Sequence, residues 1–144
     1  MPMFLACRYR HSITGADLFR SADVPSQIAD PDSFVGTAHT QRLAGDQVGV
    51  PVVVYRVEFE DGARTNWHSH SGPQWLLVTE GRVRVQTWGE APVEVGTGDA
   101  VVIAPGEKHW HGAAPGTRGV HLAVNVNVTT EWFEPVTEDQ YVGR

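Results

Sequence analysis

The stretch Gly62-Ala63-Arg64-Thr65-Asn66-Trp67-His68-Ser69-His70-Ser71-Gly72-Pro73-Gln74 decides how this chain folds. In an extended strand, side chains at i and i+2 leave the same face. His68 and His70 therefore aim their imidazoles at one point. Ser71-Gly72-Pro73 reads as a turn, since Gly and Pro supply the backbone angles that turns need. Gln74 opens the next apolar run, Gln74-Trp75-Leu76-Leu77-Val78-Thr79, and can return its carbonyl oxygen to the same point.

Working outward, Pro105-Gly106-Glu107-Lys108-His109-Trp110-His111-Gly112 offers a third imidazole. Three neutral ring nitrogens and one amide oxygen suit a divalent transition metal. A lone His-x-His is weak evidence, because histidines in strands are often hydrogen-bonded residues of the core or surface. The weight here comes from the combination: Gly62 ahead of the pair, Gln74 after it, Gly81 closing the run, and a Pro-x-Gly-x-x-His segment downstream.

The rest of the chain reads as short strands. Phe34 to Leu43 is a first strand, followed by the polar link Ala44-Gly45-Asp46-Gln47. Val50 to Glu60 is a stronger one, rich in β-branched and aromatic residues. Leu76 to Val78, Val83 to Trp88, Val93 to Val95 and Ala100 to Ile103 follow, broken by Gly81, Gly89 and Gly96; Gly98-Asp99 is a bend. Val120 to Val128 alternates cleanly, with the valines and Leu122 on one face and His121, Ala123, Asn125 and Asn127 on the other. Many short strands, frequent Gly/Pro turns and no long helical period imply an all-β antiparallel sandwich or barrel. Residues 1–33 read as an N-terminal arm, either loosely packed or set against a partner subunit. Within it Ser12 to Phe19 is expected to start one helical turn capped by Ser12 or Thr14. Glu131 to Gln140 is expected to hold a short turn or helix.

Composition bounds the function. At 144 residues the chain is expected to form one domain. A formal charge of −6 with no basic cluster argues against nucleic acid as a partner. No apolar run reaches the length of a membrane span. Cys7 is the single cysteine, so no internal disulfide forms and a reducing, cytoplasmic setting is expected. Met1 to Cys7 lacks the basic and long apolar regions of a secretion signal.

Residue by residue, the chain resembles the cupin superfamily, and within it the cupin-type (R)-hydroxynitrile (mandelonitrile) lyases. The resemblance rests on Gly62-Ala63-Arg64-Thr65, on His68-Ser69-His70 followed by Gln74, and on Gly106 to Pro115. The late strand His121-Leu122-Ala123 and the tail Val136-Thr137-Glu138-Asp139-Gln140-Tyr141 extend it. It implies a double-stranded β-helix, or jelly-roll barrel, over residues 34–144, and a metal at its mouth held by His68, His70, Gln74 and His109. Manganese or iron is the implied ion, with zinc, nickel or cobalt as other divalent occupants. It also implies a small-molecule substrate and a homodimer or homotetramer. Cupins usually carry Glu where this chain has Gln74; the lyase group has Gln. The chain departs from the lyases in the order of the Ser71-Gly72-Pro73 turn, in Trp75, in the bulk of Val52 to Arg56, and in residues 1–33.

Four neutral donors leave a divalent charge intact. That favours Lewis-acid chemistry on a substrate oxygen and disfavours a trivalent state. Cleavage or formation of cyanohydrins fits, with a histidine base; a cupin dioxygenase or isomerase and a non-catalytic small-molecule binder are the alternatives. Two bases are candidates. His111 shares a face with His109 if the strand continues past Gly112. For His121 the alternation alone points outward, to solvent or an interface, whereas the resemblance points it into the metal pocket. His11 and His39 read as surface residues and Lys108 as solvated. Trp67, Trp75 and Trp110, next to inward ligands, are expected to pack on the opposite face.

Overall fold

The computed structural model describes residues 9–13, 15–45 and 49–144. Cys7, Thr14 and the Asp46-Gln47 link lie outside the described residues. Two strands, β1 (Arg10–Ile13) and β2 (Ala16–Phe19), form a separate hairpin where a helical turn was expected; Arg10 pairs with Phe19 and Ile13 with Ala16. Alternating pairing across Gly15 satisfies these backbone groups without the helix that a serine cap would start.

Twelve further strands make one curled antiparallel sheet. In chain order they are β3 (Gln27–Ile28), β4 (Phe34–Val35), β5 (Ala38–Gly45), β6 (Val52–Phe59), β7 (Arg64–Thr65) and β8 (His68–His70). Then come β9 (Gln74–Thr87), β10 (Val93–Gly96), β11 (Ala100–Ile103), β12 (His109–Ala113), β13 (Gly119–Val126) and β14 (Thr130–Trp132). Neighbours across the sheet run β14-β8-β12-β9-β13-β6-β5-β3. The expected all-β barrel is what the chain forms. Among the described residues no helix is long and apolar enough to cross a membrane.

Two boundaries differ from the pattern of side chains. The expected strand from Phe34 splits into β4 and β5 at Gly36, whose φ is +79° and where an added Cβ would lie 2.9 Å from the Ala63 Cα. Conversely, the two runs flanking Gly81 are one strand, β9. Gly81 has φ +63°, and any side chain there would run into the Arg118 carbonyl. This bend carries β9 from pairing with β11 and β13 in its first half to pairing with β10 and β12 in its second. One strand thus serves both walls of the barrel.

Three apolar clusters hold the walls. Leu76, Val78, Val83 and Val85 pack with Val95 and Ile103 at one end. Phe59, Val57, Ala38 and Ala113 form a second. Trp67 and Trp110, both buried, face away from the histidines as expected and pack against Val136 and Tyr141 of the tail. The tail ends in a short helix, α1 (Glu138–Val142), capped by Thr137 in a capping box with Gln140. It is tied down by Arg64 Nη2 donating to the Val136 carbonyl at 2.7 Å and Tyr141 OH donating to the Ala113 carbonyl at 2.5 Å. Glu131 and Trp132, expected in a turn or helix, belong instead to β14, which pairs with β8.

Candidate metal centre

The histidines converge because of strand register. On β8, His68 and His70 are buried and Ser69 between them is not. β12 lies beside β8 with His109 opposite His68, and it continues straight through Gly112, so His111 follows His109 on the same inward face. Ring centroids of His68 and His109 are 4.2 Å apart, of His68 and His70 4.9 Å, of His70 and His109 5.4 Å. His68, His109 and His111 each bring a ring nitrogen within 4.8 Å of the other two. His111, expected beside the ligands as a base, therefore stands inside the same nitrogen cluster.

The outer nitrogens are committed. His68 Nδ1 donates to the Asn66 carbonyl at 2.9 Å and His109 Nδ1 to the Glu107 carbonyl at 2.8 Å. A carbonyl only accepts, so each ring carries its proton on Nδ1 and a lone pair on Nε2. The Gln74 amide donates to Asn125 Oδ1 at 2.8 Å, which turns its oxygen toward His109 Nε2 at 3.3 Å. Two lone pairs then face each other in a buried site, an arrangement that a shared cation satisfies. His70 Nε2 is buried with no hydrogen-bond partner, which fits the same requirement. The donor set, imidazoles with outer-nitrogen partners plus one amide oxygen, therefore suits a divalent transition metal.

Burial keeps these rings neutral. It holds His68 well below the ordinary histidine range, with the neighbouring His109 and His70 adding to the effect. It lowers His109 to about 4 and also lowers His70, against the pull of the Gln74 amide. Neutral imidazole is the form that binds a metal.

Next to this group is a histidine pair. His121 is fully buried, and its Nε2 lies 2.9 Å from His111 Nδ1. Burial lowers His121 to about 4 and His111 well below the ordinary range. The outward position that alternation alone gives His121 is wrong. In this barrel the interior holds a cavity of about 510 Å³, and the β13 face carrying His121, Ala123 and Asn125 lines it. The aliphatic face, with Leu122 and Val124, turns outward and stays only half-buried. Tyr55, Val53 and Val57 supply the cavity's apolar wall. Phe59 packs against both His121 and His111, at 5.3 and 6.1 Å between ring centroids.

Several contributors were not legible from residue patterns. Alternation along β13 gives Asn125 its face but not its contact with Gln74, whose amide it orients. Thr130, whose Oγ1 lies 3.0 Å from His70 Nδ1, and Trp132, whose ring lies 4.7 Å from that of His68, come from β14. Lys108 is not simply solvated: its Nζ sits 3.6 Å from the centroid of Trp88 and 2.8 Å from Glu134 Oε1. His11 and His39 remain at the surface beside Asp23 and Glu60. Trp75 is turned away from the cavity and 36% exposed.

Comparison with known proteins agrees with this geometry. The model of the cupin domain family matches residues 55–126. An (R)-mandelonitrile lyase of Granulicella tundricola is 43% identical over 113 residues, covering 76% of this chain and 86% of that protein. A crystallised cupin-like protein of Thermotoga maritima is 40% identical, with a TM-score of 0.77 over 80% of this chain and 90% of its own. A polyketide cyclase of Streptomyces resistomycificus shares the fold, with a TM-score of 0.67 at 23% identity over 86% of this chain and 89% of its own.

Proposed function

The chain belongs to the cupin family, and we propose that it is a metal-dependent carbon–carbon lyase that cleaves or forms cyanohydrins. The observation that carries this is the juxtaposition, in one cavity, of inward-facing metal donors with a buried His111–His121 pair. The relative named as a mandelonitrile lyase supports the reaction class.

His68, His70, Gln74 and His109 would hold the ion, manganese or iron by family resemblance. When bound, it supplies an uncompensated divalent charge that favours loss of a hydroxyl proton nearby, since all four donors are neutral. The rest of the chemistry belongs to the chain. His111 Nε2 is buried and without a partner, so it is free to take the hydroxyl proton of a cyanohydrin. Its Nδ1 proton passes to His121 Nε2 across the 2.9 Å contact, spreading the charge over two rings. The O–H electron pair becomes the second carbonyl bond, the carbon–carbon bond to the nitrile breaks, and its pair leaves as cyanide. Cyanide regains the proton from the histidine pair. The apolar wall of Tyr55, Val53 and Val57 excludes water and receives the organic group of the aldehyde.

Racemic mandelonitrile incubated with manganese-loaded protein should release benzaldehyde faster than buffer. No excess release, with the metal confirmed in place, sinks the lyase reading. We also propose that the chain self-associates as a homodimer or homotetramer, through the outer aliphatic face of β11, β9, β13 and β6, and that small molecules, rather than nucleic acid or membrane, are its ligands.

A further inference from the structure

We infer that Thr130 is a positioning residue for the metal centre, selecting the ring tautomer of His70. The inference rests on the metal reading above. The three histidines on β8 and β12 proposed as ligands are not held alike. His68 and His109 donate to backbone carbonyls of their own strand segments, Asn66 and Glu107, two residues away. These acceptors cannot be removed by any side-chain change and cannot act as donors. His70 has no such partner. Its Nδ1 meets the hydroxyl of Thr130, 60 residues downstream, at 3.0 Å.

A hydroxyl both donates and accepts. When it accepts from Nδ1–H, His70 Nε2 keeps its lone pair and stays available inside the cluster, where the ring nitrogen is buried and unpartnered. Without the hydroxyl, no acceptor among the described residues holds the ring proton on Nδ1, and the Nε2–H form is no longer disfavoured. That form cannot bind a metal through Nε2.

The strand bearing Thr130 makes this control unusual. β14 is three residues long, lies at the end of the sheet and, among the described residues, pairs only with β8. It follows Asn127, which has a φ of +51° and is the one non-glycine with positive φ among the described residues. Its register sets Thr130 opposite His70 and Trp132 opposite His68. Trp132 covers His68 at 4.7 Å, so both histidines of β8 are braced by the same strap. Correct use of His70 is thereby tied to the docking of one short edge strand.

The test compares wild type with Thr130→Val, which keeps the shape and removes the hydroxyl, and Thr130→Ser, which restores it. Three readouts are used: cobalt affinity and cobalt spectrum, both by titration of metal-free protein, and ring-nitrogen NMR of His70 in the metal-free state. Thr130→Val should weaken cobalt binding by about 10–100-fold, the usual loss when a ligand's outer partner is removed. The cobalt spectrum should change, and His70 should move from the Nδ1–H toward the Nε2–H form. Thr130→Ser should match wild type in all three. Thr130→Val binding like wild type with an unchanged tautomer overturns the inference alone. A Thr130→Ser variant as impaired as Thr130→Val also overturns it, assigning the effect to strand packing instead of the hydroxyl. Wild type that binds no cobalt removes the metal reading, and the inference with it.

Discussion

His68 sits at the centre of the cluster, with Nδ1 committed to a carbonyl and its ring within 5.2 Å of three other imidazoles. His68→Ala should lower metal content by an order of magnitude or more, read by elemental analysis, while strand content by circular dichroism stays intact, because the apolar clusters do not include it. His121→Phe should abolish turnover yet leave metal content near wild type, separating the proposed proton-handling pair from the proposed ligands. The same residue contributes to an acid limit together with the other buried histidines, which burial lowers in the same direction. Its folded pKa of about 4 lies below the unfolded value near 6.5, so the unfolded chain binds more protons between those values. Stability of the metal-free protein should be full above pH 6.5 and fall as pH drops toward 4, and His121→Phe should flatten that slope in urea melts. At this scale the convergence of His68, His70 and Gln74 was legible, since period-2 alternation and the Gly-rich turn bring their side chains toward one face. His121 was misread from alternation because the usual rule, aliphatic side in and polar side out, is inverted on a strand that lines a polar cavity. Thr130 offered no signal at all: its contact depends on the path of residues 127–129, which no periodicity encodes.

β9 is the element that joins the walls. It runs for 14 residues, and the turn of direction at Gly81 sits against the Arg118 carbonyl and next to the irregular pairing at Val120/His121. Gly81→Ala combines a positive φ with a backbone clash and should destabilise the fold by more than about 1 kcal/mol, measured as a lowered urea midpoint. It should also reduce metal uptake, because Gln74 at one end of β9 and the β12 pairing at the other move with it. The strand pattern around Gly81 looked like two elements because glycine interrupts an apolar run equally well at a turn and at a bend within one strand. The β1–β2 hairpin reads as a helical turn in sequence for a related reason: Ser12 caps helices, yet a four-residue segment is decided by its pairing partner and not by its own propensity.

Across the whole molecule, the outward face keeps an apolar row, Val102, Trp75, Val124 and Val54, aligned by register over β11, β9, β13 and β6. Val102 is 61% exposed and Leu77, one row along, 40%. If this face carries self-association, a Trp75→Asp, Val102→Asp double variant should elute as a monomer in light-scattering chromatography where wild type does not. An unchanged mass would place any assembly elsewhere. On the proposed donor set, which draws on β8, β9 and β12, metal should stabilise the entire barrel by mass action. Chelator treatment should lower the melting temperature, by a free energy of about 2.7 kcal/mol when free metal had stood at 100 times its dissociation constant. The tail adds a constraint of a different kind. Trp67 and Trp110 flank His68 and His109, and both need Val136 and Tyr141 as packing partners. Arg64, which precedes the histidine pair, is anchored to Val136 as well. During synthesis on a ribosome, the segment that carries the first two imidazoles emerges some seventy residues before the side chains that cover its back. The centre therefore cannot mature in step with elongation; it waits until Val136 and Tyr141 have left the exit tunnel, and premature termination anywhere before Val136 should yield no usable site.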